Sequence, residues 1–183
     1  MFVRNLLKRL LYRLRGDYTT EDLIGRGLVV GKNFNRLNGT IIDPSHCWLI
    51  HIGDNVTLAP RVHILAHDAS TFLFMGYTRI GTVDIGDSVF VGAESVILPG
   101  VKIGNNVVIG ANSTVTGDIP SGTVAVGSPA RVICDIETFI ARNRTLFNNS
   151  PVFGSEYTIN GGISADMKVS MYETLRDRSG FVK

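Results

Sequence analysis

The sequence predicts an all-β solenoid, a parallel β-helix in which short strands stack coil upon coil. Its regular core lies between residues 85 and 120, where branched apolar residues recur every six positions: Ile85, Val91, Ile97, Ile103, Ile109 and Val115. A second series of apolar or small residues follows each of these by four positions: Val89, Ser95, Val101, Val107, Ser113 and Ile119. A period of six fits neither an amphipathic helix nor a half-buried flat strand. It is typical of coils of about 18 residues that bury their apolar faces by stacking on each other.

The residue types of the core agree with this fold. β-branched side chains suit ladders in a narrow interior. Glycine directly follows the lead residue in several repeats, where the chain must turn a corner without a side-chain clash. These glycines are Gly86, Gly92, Gly104 and Gly110.

Outside this core the period is weak or interrupted. It begins faintly at Ile24, is broken at Arg36 and departs altogether over residues 42–50. It returns over residues 52–64 and then stops. Residues 68–79 contain several aromatic side chains and are predicted to form a loop outside the solenoid.

Three segments are therefore expected. Residues 1–23 form a basic N-terminal helix, residues 24–133 form the β-helix with its loop, and residues 134–183 form a helical C-terminal extension. Within the extension, the apolar spacing predicts one helix over residues 135–146 and another over residues 164–176.

Residues 1–15 place leucines on one face of a helix and most basic side chains on the other. The basic side chains are Arg4, Lys8, Arg9, Arg13 and Arg15. Two interpretations stay open. The helix either covers an end or flank of the solenoid, which needs a cap, or lies on an anionic membrane surface as a peripheral anchor.

Composition excludes several classes of protein. The net charge is only +2, and no basic patch with interleaved aromatics indicates a nucleic-acid partner. No apolar run is long enough to predict a membrane-spanning helix. The two cysteines, Cys47 and Cys134, form neither a disulfide framework nor a CxxC metal motif. A cytoplasmic location is expected, either free or peripheral at the inner membrane face.

His67 is the candidate general base. It stands where the regular coils break into the loop, so that a rigid strand would hold its imidazole in a loop-lined crevice. Imidazole accepts and releases a proton near neutral pH. Adjacent Asp68 could fix its tautomer, although neighbours on a strand point to opposite sides. A purely structural histidine is the alternative interpretation.

Three runs of the sequence carry a family resemblance: I-G-D-S-V-F-V-G-A-E-S-V-I-L-P-G-V-K-I-G, V-I-G-A-N-S-T-V-T and V-G-S-P-A-R-V-I. They resemble the hexapeptide-repeat acyltransferases over residues 50–135, within them the sugar O-acetyltransferases such as the maltose and galactoside enzymes. The resemblance implies a left-handed β-helix, an exception to the usual right-handed crossover. It also implies a homotrimer with an active site in each cleft between adjacent prisms. The implied co-substrate is acetyl-CoA, with no metal, and the implied acceptor is a hydroxyl of a sugar, polysaccharide or glycolipid.

The same resemblance assigns site residues. His67, in A-H-D-A-S, takes the place of the base that deprotonates the acceptor. Ala93 in V-G-A-E and Ala111 in I-G-A-N match positions whose backbone binds the pantetheine arm. Thr116 and Arg131 match residues near the nucleotide end, where a cation suits the phosphates.

Three features depart from the family pattern. Gly117 stands where the family usually has lysine, and Phe90 stands where it often has tryptophan. The loop 68–79 lacks the family's frequent second histidine and proline, so the acceptor is not carried over.

Three other functions stay open. The first is N-acetylation of a nucleotide-linked amino sugar. The second is a metal-dependent hydratase of the carbonic anhydrase type, which needs three histidine ligands where His63 and His67 offer two. The third is a non-catalytic β-helix scaffold.

Overall fold

The computed structural model describes residues 18–183, which divide into two compact units between Ile136 and Glu137. The helix expected over residues 1–15 lies outside the described residues. No helix within residues 18–183 is long and apolar enough to cross a membrane.

The first unit is built from three parallel sheets of very short strands. Sheet A contains β1 (Val29–Val30), β4 (Ile50–Ile52), β9 (Val83–Ile85) and β12 (Lys102–Ile103). Sheet B contains β2 (Asn35–Arg36), β5 (Thr57–Leu58), β10 (Phe90–Val91), β13 (Val108–Ile109) and β15 (Thr123–Val126), with β16 (Arg131–Asp135) added antiparallel. Sheet C contains β3 (Ile41–Ile42), β6 (His63–Ile64), β11 (Val96–Ile97) and β14 (Thr114–Val115).

From β1 to β14, the strands of these three sheets follow one another in the rotation A, B, C. Each strand pairs in parallel with the strand one coil later, as β3 does with β6 through Ile41 opposite His63 and Ile42 opposite Ile64. The chain therefore winds as a parallel β-helix with three faces and three corners. All six lead residues of the period-six series are buried in one core cluster. Ser95 and Ser113, from the second series, are also buried and both donate to the carbonyl of Gly110.

The coils depart from the expected length of about 18 residues where the period of the sequence is interrupted. Equivalent residues on successive coils are 22, 33, 18 and 16 positions apart. The extra and missing residues lie at one corner, between a strand of sheet C and the next strand of sheet A. The other two corners keep the six-residue spacing, so the interior ladder stays in register while this corner carries insertions.

The first insertion, residues 43–49, contains a one-turn 3₁₀ helix, Cys47–Leu49. The second, residues 65–82, is the excursion that the interrupted period predicts. It contains β7 (His67–Asp68) and β8 (Arg79–Ile80), which pair antiparallel. Between them lie a 3₁₀ turn, Ala69–Thr71, and the short helix α2, Phe72–Met75.

The start of the solenoid differs from the sequence expectation. Ile24 is exposed and ends helix α1, Thr20–Ile24, whose first turn is fixed by reciprocal hydrogen bonds between Thr19 and Asp22. The buried residue of this helix is its neighbour Leu23. Arg36 does not break the first coil, because its guanidinium turns to the open end and donates to the carbonyls of Tyr18 and Thr40.

The second unit has two helices and a small sheet. α3 spans Ile136–Asn148 from the end of the first unit, and α4 spans Ala165–Leu175. Two strands, β17 (Val152–Phe153) and β18 (Phe181–Val182), pair in parallel. A 3₁₀ turn, Ser155–Tyr157, lies between β17 and α4.

Candidate active site

The variable corner brings Asp43 and His67 together. The imidazole Nδ1 of His67 lies 2.5 Å from Oδ2 of Asp43. The Asp43 side chain is fully buried, whereas that of His67 is 33% exposed. A carboxylate behind Nδ1 holds the proton on that atom and leaves the Nε2 lone pair free. His67 therefore has the arrangement of a general base held by a carboxylate.

The backbone of the same corner holds Asp43 still. Asp43 directly follows β3, and its own N–H donates to the carbonyl of Ile64 on the next coil at 2.9 Å. Its carboxylate accepts from the N–H groups of Ser45 at 2.9 Å, His46 at 3.3 Å and Ala66 at 3.1 Å. Asp43 thus ties the first insertion to the residue directly before His67.

These contacts decide the charge of Asp43. Burial by itself raises the pKa of this carboxyl group, but the hydrogen bonds from His67, Ser45 and Ala66 and the charge of His67 outweigh it. The net result is a pKa below the ordinary value of 3.8. Asp43 is a carboxylate at neutral pH, and its charge favours a positive charge on the neighbouring imidazole.

Asp43→Asn is expected to lower the free energy of unfolding by roughly 2–3 kcal/mol at pH 7, because the amide turns an N–H toward buried donors. The folded-state pKa is depressed, so the stabilisation by wild-type Asp43 is present above its unfolded pKa and is lost as pH falls through the folded value. The difference in unfolding free energy between the wild type and Asp43→Asn, measured by denaturant unfolding, should therefore be smaller near pH 3 than at pH 7. An equal difference in unfolding free energy at the two pH values would contradict this account of Asp43.

Asp68, the partner considered from the sequence, does not hold His67. Its carboxylate accepts from the N–H of Ser70 at 2.9 Å and lies 3.4 Å from the guanidinium of Arg79. The hydrogen bond from Ser70 contributes most to a lowered pKa of Asp68. Asp68 and Arg79 instead close the base of the excursion.

His46 lies beside this pair and raises the question of a metal. Asp43, His46 and His67 are the group within residues 18–183 whose possible metal ligands all lie within 4.8 Å of one another. Two ligands of one tetrahedral zinc ion, each about 2 Å from the metal, are roughly 3.3 Å apart. The 2.5 Å contact between Asp43 and His67 suits a shared proton instead. His63, on β6, is not part of this group.

The expected cofactor residues occupy two corners. Ala93 and Ala111 lie one above the other between sheets B and C, where Asn112 N–H donates to the carbonyl of Ala93 at 2.8 Å. Thr116 follows β14 and lies at the corner of His67, two coils further along. Within one chain, the two alanines therefore lie before the strands of sheet C, and His67 lies beyond the other end of these strands.

Arg131 begins β16, and its side chain is exposed and donates to the carbonyl of Ala130 at 2.9 Å.

A groove of about 730 Å³ lies elsewhere, over sheet A, and its lining does not include His67. The polar side chains at its rim accept hydrogen bonds from the backbone of the neighbouring coil. The Asn105 side chain accepts from the N–H of Asp87, and the Ser121 hydroxyl accepts from the N–H of Asn105.

Comparisons with known proteins identify the family of the chain. The family model "Bacterial transferase hexapeptide (six repeats)" matches residues 82–117. Protein CapG of Staphylococcus aureus is 39% identical over 142 residues, which cover 73% of this chain and 81% of that protein.

Two solved structures are also similar. A maltose O-acetyltransferase from Clostridium difficile 630 superposes with a TM-score of 0.55 at 45% identity, over 61% of this chain and 60% of that one. A galactoside acetyltransferase in complex with coenzyme A gives a TM-score of 0.54 at 40% identity, over 61% of this chain and 56% of that one. The chain therefore belongs to the bacterial hexapeptide transferases and is an acetyltransferase.

Proposed function

We propose that this acetyltransferase modifies a hydroxyl group of a sugar or glycan, with His67 as the general base. The observation that carries the proposal is the pair of His67 Nδ1 and the buried Asp43 carboxylate, 2.5 Å apart, with the imidazole partly exposed. The names of the similar proteins support a sugar acceptor, because they include a maltose and a galactoside enzyme. A scaffold without chemistry would have no need to hold a partly exposed imidazole on a buried carboxylate.

The proposed reaction begins when Nε2 of His67 takes the proton of the acceptor hydroxyl. The hydroxyl oxygen attacks the thioester carbonyl carbon of acetyl-CoA and forms a tetrahedral intermediate. The intermediate collapses, the carbon–sulfur bond breaks, and the CoA thiolate recovers the proton from the His67 imidazolium. Asp43 acts throughout as a positioning residue, since it fixes the tautomer and compensates the transient positive charge.

The proposed cofactor site uses Ala93 and Ala111 for the pantetheine arm and Thr116 and Arg131 near the nucleotide. Small side chains at the two alanines leave the backbone of their corner accessible to an extended ligand. Exposed Arg131 supplies a cation for phosphate groups. The lysine common in the family is replaced by Gly117, so Arg131 would carry more of the phosphate binding here.

The positions of these residues support a site shared between subunits. His67 and the two alanines lie beyond opposite ends of the strands of sheet C, so one chain presents a base, with Thr116 at the same corner, on one side and the pantetheine surface on the other. A second copy can bring its cofactor edge to the base of the first, and three copies close a ring with three equal sites. We infer a homotrimer of left-handed β-helices, as the family resemblance implies.

The function is tested by incubating the protein with acetyl-CoA labelled in the acetyl group and with candidate sugars. The expected product is a labelled sugar that loses its label in mild base, because esters hydrolyse there. A label stable to mild base on an amino sugar would mean amide formation and would replace the O-acetyl proposal. Absence of any transfer, together with no thermal stabilisation by CoA, would favour a scaffold.

A further inference from the structure

We propose that Trp48 and His46 form an acceptor subsite, in which one sugar ring stacks on Trp48 while a neighbouring unit presents its hydroxyl to His67. The inference rests on the proposed function and names residues that bind the acceptor. It starts from a row of three rings at the variable corner. The ring centroids of Trp48 and His46 are 5.3 Å apart, and those of His46 and His67 are 5.2 Å apart.

Trp48 is exposed although it is large and apolar. It is 52% exposed, while the preceding residue, Cys47, is fully buried and its thiol lies 3.6 Å from the carbonyl of Leu23. On its other side, the backbone of Gly27 approaches so closely that an added Cβ would lie 2.9 Å from the Trp48 Cβ. The buried neighbour and the glycine fix the base of Trp48 and leave its ring toward solvent. A rigid indole with one accessible face is a surface on which the apolar face of a pyranose can stack.

His46 connects this surface to the base. Its backbone N–H donates to the carboxylate of Asp43, the same group that holds His67. One carboxylate therefore positions both histidines, and the row of rings is pre-organised. The Nδ1 atom of His46 is buried, and no group within residues 18–183 forms a hydrogen bond with it. Such an atom is rare in a folded protein and calls for an explanation, which a bound ligand or water at this corner supplies.

The spacing of the rings suits an acceptor of at least two sugar units. Each ring-to-ring step is close to the length of one sugar residue, so a unit stacked on Trp48 leaves the next unit beside His46, from where its hydroxyl points to His67. A single sugar could reach the base or the indole but not both. We therefore expect disaccharides or longer glycans to be better acceptors than monosaccharides.

The chain offers a direct probe, because Trp48 is its single tryptophan. Fluorescence excited at the red edge of the tryptophan band, where tyrosine does not absorb, reports this residue alone. Titration of CoA-saturated protein with maltose should change the emission, whereas sorbitol, a polyol without a sugar ring, should not. The same titration of His67→Ala should still change the emission, since binding does not need the base.

Kinetics give the second measurement. Trp48→Ala should raise KM for maltose by about tenfold with little change in KM for acetyl-CoA, and Trp48→Phe should restore most of the loss. Tyr172→Ala, which removes another exposed aromatic ring, is the matched control and should leave both constants unchanged. His46→Ala should also raise the acceptor KM, with unchanged thermal stabilisation by CoA.

The outcomes separate this inference from the proposed function. If the wild-type enzyme acetylates maltose while Trp48→Ala keeps its acceptor KM and the emission ignores maltose, the subsite is wrong and the function stands. If emission follows dissociation of the oligomer instead of added sugar, Trp48 is covered by a second copy and the inference fails. If no sugar is acetylated by the wild-type protein, the proposed function itself fails.

Discussion

Replacing His67 by alanine is expected to lower the rate of acetyl transfer by about 10²–10⁴-fold, the usual contribution of a general base. A sugar hydroxyl ionises too weakly at neutral pH to attack without one. His67→Asn should be nearly as poor, because an amide donates hydrogen bonds but does not take the proton. Steady-state rates with labelled acetyl-CoA measure these effects.

The control for His67→Ala is His51→Ala. His51 is exposed on β4, where its Nδ1 lies 3.4 Å from a carboxylate oxygen of Asp84, so it resembles His67 in having an acidic partner. It lies on sheet A and has no place in the proposed reaction. His51→Ala should keep its activity, and both variants should keep their thermal stabilisation by CoA. If His67→Ala retains more than about a tenth of the activity, the general-base assignment is wrong. If it does not fold, His67 is a structural residue.

Ile103→Asp is expected to prevent folding altogether. Ile103 is 3% exposed in β12 and belongs to the dry ladder of the solenoid. An unpaired carboxylate there costs several kcal/mol, a large part of the total stability of about 5–15 kcal/mol of a typical domain. The variant should be insoluble on expression or lack a cooperative thermal transition in circular dichroism.

Lys102→Ser is the matched control, because it changes the net charge by the same amount one residue away. Lys102 is exposed on the outer face of the same strand, so this variant should fold like the wild type. Equal stability of the two variants would mean that Ile103 is not enclosed as the fold requires.

The interior of the fold was predictable from the sequence because the period of six repeats a buried position. A residue such as Ile97 has the same environment as its equivalents on the coils before and after it. The period carries no information where it is interrupted. Ile24 looks like a first repeat, but the hydrogen bonds of Thr19 and Asp22 start a helix there and bury Leu23 in its place.

The candidate site was predictable only in part. His67 stands out in the sequence as a candidate because it lies at an interruption of the period. Asp43 was missed because its position beside His67 depends on the length of the insertion after it. A count of one 18-residue coil back from His67 gives Leu49, whereas the pairing of Ile42 with Ile64 brings in Asp43. The sequence does carry a signal for Asp43. It is the first residue of a non-periodic segment, and both non-periodic segments lie at the same corner of the solenoid.

The central claim is that the base and the cofactor surface of each active site come from different subunits, and mixed oligomers test it most directly. His67→Ala lacks the base, and Ala111→Arg places a bulky side chain on the proposed pantetheine surface, so each variant alone should be nearly inactive. Unfolding and refolding an equimolar mixture should restore about a quarter of the wild-type activity, since about a quarter of the shared sites then combine an intact base with an intact cofactor surface. A mixture that forms oligomers but stays as inactive as the two separate variants would contradict the account, because it would place His67 and Ala111 in the site of a single chain.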